Sequence, residues 1–312
     1  MPTLLLLAVV GFGAQAVNSS LGMGYGVTST SALLALGTSP ALASATVNLS
    51  QVGSQLVSGL AHWRFGNVDW RIVWRIGLPG AVGAFAGATF LSALSTALAA
   101  PLMAGILLVL GSYLLVRFTL RGTPRGNLGK PLRSRFLAPL GLVGGFLNST
   151  GGGGWGPVGT TALLASGRAE PRTVVGSISA GEFAVVTAGS AGFLVGLGLT
   201  GINLSWVAVL LAGGVLAAPL AAWLARHVPA RLLGSLVGGL IVVTNARTLL
   251  HLDPVSVSPV AEVATLSGLG LVWAGAIAWS ARAHRAARRA AAVPPVPAPP
   301  SAEVTEAAPR RR

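Results

Sequence analysis

Gly11–Ala35, GFGAQAVNSSLGMGYGVTSTSALLA, lies over Gly141–Ala165, GLVGGFLNSTGGGGWGPVGTTALLA, without gaps at an offset of 130 residues. Eleven of the 25 positions are identical: Gly11, Asn18, Ser19, Gly22, Gly24, Gly26, Thr30, Ala32, Leu33, Leu34 and Ala35. Tyr25 meets Trp155, and Ser20 meets Thr150. One inserted residue later, Pro40 meets Pro171 and Gln51 meets Glu182. A chain rich in Gly, Leu and Ala produces scattered matches by chance. It does not produce an ordered Asn-Ser-[Ser/Thr]-x-Gly-x-Gly-[Tyr/Trp]-Gly string twice. The pattern predicts a duplication, and the fold is read as two copies of one unit.

What surrounds the two copies is apolar. Hydrophobic residues make up 53% of the chain and charged residues 9%, against about a quarter charged in a soluble domain. Continuous apolar runs such as Ala100–Phe118 and Trp206–Leu224 approach the roughly 20 residues that a helix needs to cross a bilayer. They do not alternate, which favours helices over a barrel. The expected fold is an all-α, polytopic membrane bundle. It places the first repeat at 1–118, a basic linker at 119–135, the second repeat at 136–250, an additional helix at 251–281 and a Pro/Ala-rich, disordered tail at 282–312. Each repeat begins with a hairpin, near 3–37 and 136–167, in which one helix is followed by a shorter arm. Met1–Val10 has no basic leader and reads as the first membrane segment rather than a removed signal peptide.

Basic residues gather in cytoplasmic loops. With the N-terminus outside, and helices expected at about 40–61, 71–92, 99–117, 171–196, 204–225, 230–250 and 261–281 beside the hairpins, 20 of the 21 Lys and Arg residues fall on one side, and only Arg247 falls elsewhere. The opposite loops, around Gly37–Pro40, Ser92–Ala100 and Gly196–Asn203, carry no charge. The net charge of +14 is thus a topology signal and not a nucleic-acid surface. An odd number of segments separates equivalent points of the two halves, so the second copy is expected upside down, an arrangement common in secondary transporters. The expected location is the plasma membrane, with a cytoplasmic C-terminus. The oligomeric state is not legible.

The Gly-rich strings are poor helix material, since each Gly costs about 1 kcal/mol relative to Ala in a helix interior. Pro157 further disrupts the second copy. Both segments are expected to break there. A broken hairpin leaves free N–H groups at the start of its second arm, and these attract anions. On this reading Asn18, Ser19, Ser20, Gly22, Gly24, Tyr25 and Gly26 form one substrate-binding segment. Asn148, Ser149, Thr150, Gly152, Gly154, Trp155 and Gly156 form the other, with Tyr25 and Trp155 as walls or gates. The alternative is that the glycines serve close helix packing alone.

Of the seven carboxylates, only Glu182 falls well inside a span. An ionisable group at that depth is costly and points to function. A carboxyl away from water favours its neutral form, which makes Glu182 a candidate proton carrier, with its repeat mate Gln51 as partner and Asn48 one turn earlier. A structural hydrogen bond is the other reading, and Arg247 is a candidate counter-ion or an interfacial residue. The four His residues lie near span ends without ligand spacing, and there is no Cys. No metal site, catalytic constellation or cofactor is expected, and an enzyme is disfavoured.

The Gly-x-Gly-Tyr-Gly string of Gly22–Gly26, the following Thr28-Ser29-Thr30, the loop His62–Trp70 and the second Gly152-x-Gly-Trp-Gly resemble the TauE/SafE sulfite exporter family. The resemblance covers about residues 4–250. It implies a plasma-membrane transporter of sulfite, sulfonates or related organosulfur anions. An anion channel and a proton-coupled importer of such an anion remain open.

Overall fold

A computed structural model describes residues 2–120, 132–199, 201–227, 230–251 and 257–291. Most of the basic linker and the tail from residue 292 lie outside the described residues. The described chain is helical, with no strand among those residues. The first repeat comprises α1 (Pro2–Leu21), α2 (Tyr25–Ala35), α3 (Pro40–Arg64), α4 (Trp70–Ala93) and α5 (Thr96–Leu120). The second comprises α6 (Ser134–Thr150), α7 (Trp155–Ser166), α8 (Pro171–Leu197), α9 (Leu204–His227) and α10 (Ala230–Leu250), and α11 (Pro259–Ala291) follows.

Local chemistry explains the boundaries. Pro40 and Pro171 open α3 and α8, where a missing N–H costs nothing and the fixed φ is helical already. Asp69 caps α4 by accepting from the Arg71 N–H at 2.8 Å. α1 and α6 stop at Gly22 (φ 68°) and Gly152 (φ 69°), a left-handed conformation that only Gly adopts freely. α11 runs ten residues past the expected end of the last helix, through Ala291. That extension is rich in Ala and Arg, which are strong helix formers, so residues 282–291, expected in the tail, are helical instead.

α1 packs on α9 and α6 on α4, while α3 packs on α8 and α5 on α10. Exchanging each element of the first repeat for its counterpart in the second returns the same pairings. Glycines permit the close approach. A Cβ at Gly11 would sit 2.6 Å from the Leu210 carbonyl oxygen, and one at Gly87 would sit 2.6 Å from that of Phe146. Among the described residues, five helices are long and apolar enough to cross a membrane: α1, α4, α5, α8 and α11. α4 turns Trp74, Leu78, Val82 and Phe85 outward, a face suited to hydrocarbon and not to water. α3 is as long as these helices but more polar, and that difference places the site.

Candidate functional site

The C-terminal turns of α1 and α6 meet the middles of α3 and α8, and side chains from all four form one buried polar cluster. At its centre is Glu182, twelfth residue of α8, opposite Gln51, twelfth residue of α3. The repeat mates bond to each other: Gln51 Nε2 donates to Glu182 Oε1 at 3.1 Å. Gln55, one turn further along α3, donates from Nε2 to Glu182 Oε2 at 2.6 Å. Asn18 of α1 faces the same carboxyl, but its Nδ2 completes no hydrogen bond. The cluster continues along α3 to α6. Asn148 Nδ2 approaches Asn48 Oδ1 at 3.4 Å, and Ser44 Oγ donates to the Ser149 carbonyl at 2.6 Å. Gly189 of α8 closes that side, since a Cβ there would lie 2.8 Å from both Asn48 Oδ1 and Ser149 Oγ.

Many of these groups are not saturated. Asn18 Nδ2, Gln51 Oε1, Gln55 Oε1 and Ser149 Oγ are buried without a hydrogen-bond partner, as is Ser179 Oγ, three residues before Glu182 on α8. Each such group costs about 1–3 kcal/mol if it stays unpaired. A folded chain retains a group of them where water or a ligand meets them. The unpaired set contains amide and hydroxyl donors as well as two carbonyl acceptors, so the arrangement offers both kinds of partner to a small polar solute. Among the described residues, no cation pairs with Glu182. Arg247 pairs instead with Glu262 of α11 at 3.8 Å, near the surface, so it is not the counter-ion of the central carboxyl.

The predicted residues divide into two groups. Asn18, Asn148, Ser149, Gln51 and Glu182 come together in the cluster. The glycines of the strings build the breaks, which pack against one another. A Cβ at Gly26 would lie 2.5 Å from the Gly152 carbonyl oxygen, and one at Gly156 would lie 2.5 Å from Met23 Cα. Two matching hydrogen bonds tie the breaks together, Thr30 Oγ1 to the Gly152 carbonyl (2.9 Å) and Thr160 Oγ1 to the Gly22 carbonyl (2.7 Å). Gly24 and Gly154 precede the first residues of α2 and α7. The Trp155 N–H, at the start of α7, meets Asn148 Oδ1 at 3.3 Å.

Tyr25 and Trp155 are fully buried anchors of the short arms. The Tyr25 hydroxyl contacts Ser50 Oγ and the Leu210 carbonyl, each at 3.2 Å, and Trp155 Nε1 donates to the Ile178 carbonyl at 3.0 Å. Ser19 accepts from Gln15 Nε2 at 3.1 Å, and Thr150 Oγ1 bonds within its own helix. The Ser20 side chain lies outside those described. Gln55, Ser44 and Ser179 were not singled out from sequence, although Gln55 lies four residues beyond Gln51, on the same helix face. The loop before α4 does more than line an interface. Its Asp69 N–H bonds Ser177 Oγ at 2.9 Å, tying it to α8 just ahead of Glu182. A cavity of about 360 Å³ opens between the α2–α3 turn and the start of α9, lined by Thr38, Ser39, Thr46 and Asn203 among others. Thr46 lies two residues before Asn48.

The family described as Sulfite exporter TauE/SafE matches residues 7–248. A Bacillus subtilis (strain 168) protein named probable membrane transporter protein YtnM is 45% identical over 280 residues, which cover 89% of this chain and 92% of that protein. No solved structure matches the chain.

Proposed function

We propose a substrate class and a route for this chain, which belongs to the TauE/SafE sulfite exporter family and is a multi-pass membrane transporter. The substrate is a small organosulfur anion, sulfite or a sulfonate, held in the cluster between Asn18, Asn148, Ser149 and the Gln51–Glu182–Gln55 group. One observation carries this reading: buried amide and hydroxyl groups of Asn18, Gln51, Gln55 and Ser149 lie unpaired around the Glu182 carboxyl and along α3. Neutral donors bind an anion loosely enough to release it, as transport requires. The two halves, inverted relative to each other, rock about the cluster and open it to either side in turn. The cavity beside Thr46 would then serve the outer face and the basic loops the cytoplasm.

Export is the proposed direction. With the cell interior negative, an outward-moving anion runs downhill by about 2.3 kcal/mol per charge for each 100 mV. A second reading, uptake coupled to a proton, is favoured by the position of Glu182 inside the cluster. Flux into and out of vesicles reconstituted with the purified protein tests both. Saturable movement of sulfite or sulfoacetate supports the anion site, and unsaturable flux at channel rates opposes alternating access. A response only to cations or neutral solutes sinks the anion reading. Glu182→Gln separates the directions, because proton-driven uptake loses its response to a pH gradient and voltage-driven export does not need one.

A further inference from the structure

We infer that Glu182, Gln51 and Gln55 form a proton-operated amide switch, in which the site gains its affinity for an anion as the carboxyl takes a proton. The inference rests on the cluster being the anion site. Its basis is the donor and acceptor inventory. An ionised carboxylate only accepts, so each amide beside it must present its NH₂. That is the arrangement in the structure: Gln51 Nε2 lies 3.1 Å from Oε1, and Gln55 Nε2 lies 2.6 Å from Oε2. The consequence is two buried carbonyl oxygens, Gln51 Oε1 and Gln55 Oε1, left without a donor. In this state the site holds one negative charge and two unpaired acceptors, and both features oppose an anion.

A protonated carboxyl changes the inventory. Its O–H donates, so one neighbouring amide must turn its oxygen inward. Gln55 is the residue placed for this, because its contact with Oε2 is the shorter of the two. Rotation of the Gln55 amide by half a turn pairs its Oε1 with the carboxyl O–H and points its Nε2 where the unpaired oxygen had been. One acceptor is exchanged for a donor, and the fixed negative charge is gone. Asn18 Nδ2 and the hydroxyls of Ser149 and Ser179, also unpaired, are further donors to the same anion. The proton comes from water and returns to it on release; no covalent bond of the substrate changes. A monovalent anion and its proton together carry no net charge, so the switch belongs with the proton-coupled reading and not with voltage-driven export.

Among the described residues, no other charge lies beside the Glu182 carboxyl. α3 carries His62 and Arg64 only in its last turn, and α4 carries Arg71 and Arg75 only in its first two turns. α1 and α7 carry no charged residue, and Arg135 lies at the start of α6. Arg172 of α8 is ten residues from Glu182 and pairs with Glu170.

Titration calorimetry on the purified full-length chain, with methanesulfonate and sulfoacetate as probes, tests the switch from mildly acidic to mildly alkaline pH. In buffers of differing ionisation heat, the wild type is expected to take up one proton per anion at the alkaline end. There its affinity falls about tenfold per pH unit. In Glu182→Gln the affinity no longer follows pH and proton uptake disappears. Gln55→Met, which keeps the length and removes the amide, is expected to retain proton uptake while binding about tenfold more weakly in acid. Anion binding by the wild type with no proton uptake and no pH dependence overturns the switch and leaves the anion site standing. No binding of either probe or of sulfite at any pH, by protein that still unfolds cooperatively, overturns both. Unaltered acid affinity in Gln55→Met removes the amide rotation. If Glu182→Gln does not fold, the wild-type proton count and Gln55→Met decide the matter.

Discussion

α3 and α8 hold equivalent places in the two repeats and open at equivalent prolines, yet they bury different chemistry. α3 buries a ladder of neutral polar side chains: Ser44, Asn48, Gln51, Gln55 and Ser58. The corresponding positions of α8 are Val175, Ser179, Glu182, Val186 and Gly189, with a single ionisable group. The scaffold is repeated and the chemistry is not. One helix supplies neutral hydrogen-bonding side chains, and the other supplies the carboxyl that they meet. Duplication alone would give two equal sites or two equal charges facing each other. A carboxyl opposite an amide, as Glu182 stands opposite Gln51, avoids that repulsion.

The comparison is broken most directly by removing each mate in turn. Glu182→Val leaves two buried glutamine amides without their acceptor, at about 1–3 kcal/mol each. Saturable anion exchange in reconstituted vesicles is expected to fall about a hundredfold or more, since each 1.4 kcal/mol is worth roughly a factor of ten. Gln51→Val leaves the carboxyl its contact with Gln55, so a loss of about tenfold is expected. Equal losses would show that the two helices are not divided in this way.

The two breaks invite the same treatment. Gly22 and Gly152 share a left-handed backbone, where a Cβ costs about 1–2 kcal/mol. Their surroundings differ. A Cβ at Gly22 would meet Thr160 Oγ1 and Val175 at 3.2 Å, whereas one at Gly152 would run into the Thr30 side chain. Gly22→Ala is therefore expected to cost about 1–2 kcal/mol and Gly152→Ala about 3 kcal/mol. The order of their unfolding midpoints in detergent checks this.

Much of this was legible beforehand because hydrophobic runs, repeated prolines and repeated glycine strings are local signals. They placed every described helix of the two repeats within a few residues. They also picked out Glu182, which stands alone as a carboxyl in apolar sequence. The glycines were ambiguous for a physical reason. Sequence shows that Gly26 and Gly156 tolerate close approach, but not that each packs on the break of the other half, more than a hundred residues away. Gln55 does not stand out in the sequence, because a Gln among Ser residues carries no evident cost until its neighbour is known to be Glu182. Tyr25 and Trp155 were read as walls of a path, since an aromatic beside Gly does not reveal whether its polar tip meets substrate or backbone. Their hydroxyl and indole N–H bond neighbouring helices.

Where the halves are matched in chemistry as well as place, the effects should match. Thr30 and Thr160 each give one hydrogen bond to the carbonyl of the opposite break. Thr30→Val and Thr160→Val keep the shape and remove one bond each, at about 1 kcal/mol. Their denaturation midpoints are expected to shift alike. A double variant that loses less than the sum would show that the two bonds close one joint rather than two.

The smallest effect separates the two ways this chain handles a carboxyl. Glu262 lies near Arg247 at 3.8 Å and His251 at 3.5 Å, and the Arg247 side chain is 62% exposed. The pair ties α11, which lies beyond the residues matched by the family, to α10. Water and salt screen such a pair, and its worth is about 0.5 kcal/mol. Arg247→Gln is therefore expected to move the unfolding midpoint barely and to leave anion flux and its pH response as in the wild type. Glu182 has the opposite surroundings, with amides in place of a cation and burial in place of water. If Arg247→Gln altered the pH response, the coupling would have to extend through α10 to the outer surface, and the central cluster would no longer account for it alone.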